Sequence, residues 1–177
     1  HGKHHSGISG CASIAVTGPG SALSERPLQG KIGDPDRTAC LPTMRVIHAL
    51  RPNHIPQLHA LYQTVWWADT RTLEETHRVL EGSSLHIGLV DEEDNLIGFT
   101  RVLTDGVFKA LMFDVIVHDD WRGRGLGNRL MAEVKAHPWL AGVRHLELYC
   151  REDMKAFYEQ HGFRADLGDI HLMRHTV

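Results

Sequence analysis

The sequence predicts a mixed α/β (α+β) domain, with a central sheet of about six to seven strands flanked by about four helices. Three observations predict this fold: apolar runs of strand length between short polar turns, two early helices with clear start and stop signals, and a glycine–arginine loop between an apolar strand and an amphipathic helix. The predicted order is a strand, two helices, three antiparallel strands, a helix, a strand, a helix and a final strand pair.

Length and composition are typical of a single globular domain. The chain has 177 residues, of which 42% are hydrophobic, and a formal net charge of -3. This charge predicts no nucleic-acid or membrane partner, and no apolar run approaches the roughly 20 residues that span a bilayer. The cysteines at positions 11, 40 and 150 lack metal or disulfide spacing, so we expect a cytoplasmic protein.

Residues 1–43 differ from the rest of the chain. They are rich in Gly, Ser, Pro and Thr, contain no aromatic residue and show no helical or alternating period. Histidines beside glycine at a chain end are typical of a tag, so we predict a disordered or vector-derived leader over 1–43; an ordered lid is the alternative. The folded domain is then expected over 44–177.

The first elements of the domain carry local signals. Arg45–Leu50 is predicted as a strand, and Pro52 starts a helix that ends near Trp66 and Trp67. A second helix, to about Leu80, begins at the capping box Thr72-Leu73-Glu74-Glu75, in which the threonine and the second glutamate satisfy each other's backbone N–H groups. Gly82 is expected to end this helix.

The strands are bounded by turns. Leu85–Val90 and Leu96–Leu103 flank a charged turn, which predicts a hairpin. Lys109–Val117 is the third strand, and it enters the glycine–arginine loop. After the next helix, Leu146–Tyr149 is expected to return as a parallel neighbour of the third strand, because a strand that leaves through a helix returns in that direction.

The glycine–arginine loop is predicted to bind phosphate. Gly123, Gly125 and Gly127 lack side chains, so backbone N–H groups at the start of the next helix can approach an anion, and Arg122 and Arg124 add positive charge. The helix has one apolar stripe that can lie on a sheet. The stripe consists of Leu126, Leu130, Met131 and Val134.

This loop resembles one particular family. No Lys-Ser or Lys-Thr follows the glycines, and the dinucleotide spacing is absent. The pattern Arg122-x-x-Gly125-x-Gly127 resembles the acetyl-CoA signature of the GCN5-related N-acetyltransferases (GNAT). Some thirty residues later, Phe157-Tyr158-x-x-x-Gly162-Phe163 resembles the second motif of that family. The resemblance covers about residues 44–174, and it implies the GNAT fold and acetyl-CoA as cosubstrate, with no metal.

The resemblance also implies site residues. Acetyl-CoA would lie along the end of the third strand and on the loop. The residues concerned are Val115, Ile116, Val117, Arg122, Gly123, Arg124, Gly125, Leu126, Gly127 and Asn128. Tyr158 matches the family's general acid, which protonates the departing sulfur. Asp114 is the first candidate for the general base, with a structural role as the equal alternative, and Glu147 and His118 are weaker candidates.

The implied activity is transfer of the acetyl group of acetyl-CoA to a primary amine, by direct attack in a ternary complex. The protein is acidic but has no obvious anionic trench for a basic protein tail, so we expect a small-molecule amine acceptor. A protein N-terminus or lysine is the enzymatic alternative, and an acyl-CoA-binding sensor without turnover is the other. The loop at Trp66 and Trp67 either walls the acceptor pocket or belongs to the core. Homodimers are common in the family, although no residue here fixes the oligomeric state.

Overall fold

The computed structural model describes residues 43–176. The predicted leader, apart from its last residue, lies outside the described residues. The described chain forms one sheet of five strands in sequence order, antiparallel from the first to the fourth strand, while the fourth and fifth are parallel. The strands are β1 (Arg45–Ile47), β2 (Leu85–Val90), β3 (Leu96–Thr104), β4 (Lys109–Val117) and β5 (His145–Leu148).

Helices cover both faces of this sheet. They are α1 (His54–Gln63), α2 (Leu73–Glu81), α3 (Leu126–Ala136) and α4 (Lys155–Glu159). The predicted capping box is confirmed at the start of α2, where Thr72 Oγ1 accepts from the N–H of Glu75 at 3.1 Å and the Glu75 carboxylate accepts from the N–H of Thr72 at 2.8 Å. Gly82 caps the end of α2, as expected.

Two clusters of buried apolar side chains lie on opposite faces of the sheet. One face of the sheet packs against α3 and α4, and we call it the α3 face; the apolar stripe predicted for α3 is fully buried there. The other face packs against α1 and the loop after it, and we call it the α1 face. Its core contains Leu58, Tyr62, Phe99 and Ile116. The sheet is therefore sandwiched between the two helix layers.

The parallel pair β4–β5 separates halfway along β4. The pairing ends at Met112 and Leu148, although β4 continues to Val117. At the same point the register between β3 and β4 shifts, and Asp114 adopts a positive φ of 55°. A bulge of this kind bends a strand and leaves backbone groups unpaired. The last residues of β4 are therefore open on the β5 side.

The predicted final strand pair is wrong. No strand occurs after Gly162 in the described residues, so the sheet has five strands rather than six to seven. A strand needs a hydrogen-bonded neighbour, and within the described residues no ladder joins this segment to β5. His171 and His175 accordingly lie outside any strand. The apolar side chains of Leu167, Ile170, Leu172 and Met173 are exposed.

The ends of some other elements differ from the predicted ends by a few residues. β1 ends at Ile47 rather than Leu50, and α1 begins at His54 and ends at Gln63, before the tryptophans. The second motif begins within α4, which has five residues and follows a short 3₁₀ turn at Glu152–Met154. Within residues 43–176, no helix is long and apolar enough to cross a bilayer.

Candidate active site

The glycine loop forms an open N-terminus for α3. Gly123 and Gly125 have φ angles of 72° and 80°, a region that favours glycine, and Gly125 is the N-cap. The first hydrogen bond of the helix runs from the N–H of Arg129 to the carbonyl of Gly125, at 3.0 Å. The N–H groups of 126–128 therefore precede the intrahelical ladder and can donate hydrogen bonds to an anion. A Cβ at either glycine would meet nothing within 4 Å.

The two loop arginines occupy different positions. Arg122 turns back, donating from Nε to the carbonyl of Val117 at 3.2 Å and pairing with Asp119 at 2.5 Å. It therefore joins the loop to the end of β4. Arg124 places its guanidinium 4.9 Å from the ring centroid of Trp121. This cation–π contact holds the guanidinium beside the loop, where it adds positive charge.

Tyr158 belongs to the apolar cluster of the α3 face, which also contains Val115 near the end of β4. The Tyr158 side chain is 1% exposed and packs edge to face against Phe157 and Phe163. Its hydroxyl is buried, and within the described residues it has no hydrogen-bond partner. Burial and the neighbouring Cys150 raise the pKa of the Tyr158 phenol, so it stays protonated at neutral pH. A buried hydroxyl without a partner is rare, and a ligand atom is one explanation for it.

Asp114 lies on the α1 face and is held by three donors. Its carboxylate accepts from the Tyr62 hydroxyl at 2.9 Å and from Arg101 Nε at 2.6 Å. Arg71 adds a two-point contact, with Nη1 3.1 Å from Oδ2 and Nη2 3.2 Å from Oδ1. The carboxylate of Asp114 is fully buried. These contacts support the structural alternative for Asp114, because a base needs an oxygen that faces the proton it accepts.

The contacts around Asp114 shift the pKa values of its donors. Burial lowers the pKa of Arg71, but the Asp114 carboxylate outweighs burial and leaves that pKa raised. Burial and the same carboxylate raise the pKa of Tyr62 well above its ordinary value. The group of four residues, which we call the Asp114 cluster, therefore contains two guanidinium cations, one carboxylate and a neutral phenol.

The weaker candidates are placed as follows. Glu147 pairs with Lys109 on the exposed part of the α1 face. His118 begins the turn after β4, and its Nδ1 accepts a hydrogen bond from the N–H of Asp120 at 3.3 Å. Cys150 packs against the cluster of the α3 face, close enough to Tyr158 to affect its pKa. No group of three or more metal-ligating side chains occurs among residues 43–176.

Sequence reasoning missed Tyr62, Arg71 and Arg101. One signal was available: Arg101 interrupts an apolar strand, and a buried arginine needs an anionic partner. The loop after α1 was expected either to wall the acceptor pocket or to belong to the core. Trp67 is 7% exposed and packs near Tyr62, as a core residue does, whereas Trp66 is 54% exposed.

The chain is similar to a family model and to a solved structure. A family model described as "Acetyltransferase (GNAT) domain" matches residues 83–165. A solved structure of a GNAT-family protein from Xanthomonas campestris pv. campestris is 31% identical, with a TM-score of 0.67; the match covers 77% of this chain and 94% of that one.

Two curated relatives also match. The uncharacterized N-acetyltransferase ycf52 of Porphyra purpurea is 32% identical over 113 residues, which cover 62% of this chain and 64% of the relative. Serotonin N-acetyltransferase 2, chloroplastic, of Oryza sativa subsp. japonica is 34% identical over 100 residues, which cover 54% of this chain and 50% of the relative. The chain thus spans less than two thirds of these relatives' lengths.

The family model spans β2 to α4, which includes both sequence motifs, the separated strands and Tyr158. The Xanthomonas protein extends the match to three quarters of the chain and to nearly all of its own length. The chain therefore belongs to the GNAT family of acetyltransferases.

Proposed function

We propose that this protein transfers the acetyl group of acetyl-CoA to a primary amine of a small molecule, by direct attack in a ternary complex. The observation that carries the proposal is the buried Tyr158 hydroxyl, which lacks a partner among the described residues. Its ring belongs to the same apolar cluster as Val115, which lies just beyond the end of the β4–β5 pairing, and Leu148, at that end, packs against this cluster. A donor in that position is suited to a leaving group that enters between the strands.

The residues present fit acetyl-CoA. The open N–H groups of α3, with Arg124 beside them, would hold the pyrophosphate. The backbone of Val115, Ile116 and Val117 lies beyond the end of the β4–β5 pairing and would hold the pantetheine arm, because an amide chain in that gap can make hydrogen bonds that β5 does not make. When bound, acetyl-CoA supplies an activated thioester.

Tyr158 would act as the general acid. Its raised pKa keeps the proton on the phenol, and its burial keeps water from competing for that proton. A thiolate that departs beside the hydroxyl would receive this proton. The aromatic contacts with Phe157 and Phe163 hold the ring in place.

The amine must lose a proton before it attacks. Asp114 as the base stays a prediction, and its three donors argue against it. We therefore propose that Asp114 is a positioning residue, and that the amine proton leaves through water on the α1 face.

A small acceptor is supported by two observations. The Asp114 cluster carries more cationic than anionic groups, which does not suit a basic protein tail. In addition, the name of the rice relative gives serotonin, a small amine, as that protein's acceptor. A protein amine and a sensor without turnover are the alternatives.

Two assays test the proposal. Acetyl-CoA is titrated into the protein by calorimetry, and thiol release is then followed with small primary amines and with lysine-containing peptides. Binding with release from small amines is expected. Release from peptides alone would favour the protein acceptor, and binding without any release would favour the sensor. Absence of acetyl-CoA binding would contradict the assignment of the loop.

A further inference from the structure

Among residues 43–176, helices cover only part of the α1 face. In the covered part, Phe99 is 0% exposed and Ile116 is 1% exposed, beneath α1. In the other part, Leu103 is 36% exposed, and Leu111 and Phe113 are partly exposed. The boundary between the two parts runs across the sheet beside the point where β4 and β5 separate, so it borders the proposed reaction site.

A row of side chains follows this boundary. His86 on β2 is opposite Arg101 on β3, and Arg101 is opposite Phe113 on β4, so the three share one face. Tyr149 continues the row, with its ring 6.3 Å from that of Phe113. Burial lowers the pKa of His86, which therefore stays neutral at pH 7 and adds no charge.

Arg101 has N–H donors that Asp114 does not use. Its Nε is bound to Asp114, and its guanidinium lies 4.5 Å from the centroid of the Phe113 ring. In residues 43–176, no acceptor meets its two Nη atoms. A guanidinium carries five N–H groups in a planar fork that matches the oxygens of carboxylate or phosphate.

The charge of the Asp114 cluster is also unbalanced. Arg71 and Arg101 contribute two cations and Asp114 one anion, while the raised pKa of Tyr62 keeps that phenol neutral. The side chains of Arg71 and Arg101 are only 21% and 11% exposed. An excess cation in such a place is attracted to an anion more strongly than one on the open surface.

We propose that the acceptor carries an anionic oxygen group, a carboxylate or a phosphate, which binds the Nη atoms of Arg101 at this boundary. The aromatic rings of Phe113 and Tyr149 form the adjoining wall for the rest of the acceptor. This inference rests on the proposed function, because it identifies the class of amine that the same site accepts. It distinguishes acidic amines from simple cationic amines.

Matched substrates test the proposal on the unmodified protein. 5-Hydroxytryptophan and serotonin differ by one carboxylate, and glucosamine 6-phosphate and glucosamine differ by one phosphate. We expect kcat/KM to be roughly tenfold to a hundredfold higher for the anionic member of at least one pair, the range of a charged hydrogen bond. The pair that shows the preference identifies the anion. Equal or lower values for both anionic members would overturn the proposal and leave acetyl transfer intact.

Arg101→Gln provides the second test. It should remove the preference for the anion, so that kcat/KM for the anionic member of the pair falls to about that of the member without the anion. Arg144→Gln is the matched control, because Arg144 also stacks on a phenylalanine, 4.9 Å from the Phe108 ring, but in an exposed position at the opposite end of β4. A preference that survives Arg101→Gln in folded protein would contradict the assignment.

Binding separates failure of this proposal from failure of the proposed function. Calorimetry with the same four compounds, in the presence of CoA, needs no turnover. If no amine is acetylated but the anionic compounds bind more tightly, the anion site stands and the acetyltransferase proposal fails. If each pair binds equally and no amine is acetylated, both proposals fail.

Discussion

Arg71 and Asp114, 43 residues apart in the chain, form a two-point ion pair with N–O distances of 3.1 and 3.2 Å. This pair joins the loop after α1 to the bulge of β4. The guanidinium also lies 4.4 Å from the centroid of the Tyr62 ring and 5.3 Å from that of Trp67. One carboxylate thus fixes the loop beside the proposed acceptor site.

Asp114→Ala should therefore destabilise the fold. The substitution leaves two largely buried guanidinium groups without their anion, a change that costs about 3 kcal/mol or more. Urea unfolding measures the loss. Glu133→Gln is the control, because Glu133 is paired with Arg129 at the surface of α3 and its loss should cost about 0.5 kcal/mol or less. Similar losses in the two variants would refute the anchoring role.

Tyr158→Phe should lower kcat roughly tenfold to a thousandfold, while acetyl-CoA affinity stays within about twofold, because the hydroxyl acts on the leaving group alone. Since this hydroxyl has no partner among the described residues, its removal should cost no stability. Tyr62→Phe is the structural control: it removes a bond to Asp114 and should cost about 1 kcal/mol. Unchanged turnover in Tyr158→Phe would remove the general acid from the proposal.

Stability should fall in alkali. The pKa values of Tyr62 and Tyr158 are raised by burial, so the folded protein keeps two protons that the unfolded chain loses near pH 10. Their contribution is fully present below that pH and decreases as the pH rises further, by up to about 1.4 kcal/mol per pH unit for each phenol. Urea unfolding between pH 8 and 11 measures the slope. Tyr158→Phe should make it shallower, and an identical slope would contradict the burial effect.

Gly125→Glu should weaken acetyl-CoA binding by roughly tenfold or more, because it puts a side chain and a negative charge at the N-terminus of α3. Gly106→Glu is the matched control. Gly106 has a φ of 75° and open space around it, like Gly125, but lies in the turn between β3 and β4. Both variants carry similar backbone strain. Equal affinities in calorimetry would show that the loop does not hold the pyrophosphate.

Local signals were sufficient for much of the fold. The predicted bounds of β2 and β4 are confirmed, because each is an apolar run closed by a polar turn. The apolar stripe of α3 and the capping box at Thr72 are confirmed for the same reason: each depends on residues within one or two turns of helix. The two motifs were sufficient to predict the family.

The segment after Gly162 shows the limit of such signals. It was predicted as a strand, yet whether a segment becomes one depends on a neighbour elsewhere in the chain. The bounds of α1 were similarly affected, because Val65 and Trp67 are buried in the loop beyond the helix and extend its apolar pattern.

The sequence by itself determined the family, and it supplied the predictions of a phosphate loop and of Tyr158 as the general acid, since these depend on residue types at fixed local spacing. Only the tertiary structure decided the surroundings of Asp114, whose partners lie 52, 43 and 13 residues away in the chain. A buried carboxylate must find its donors wherever the fold brings them, and no local period encodes that choice. The excess positive charge at the proposed acceptor site arises from that packing.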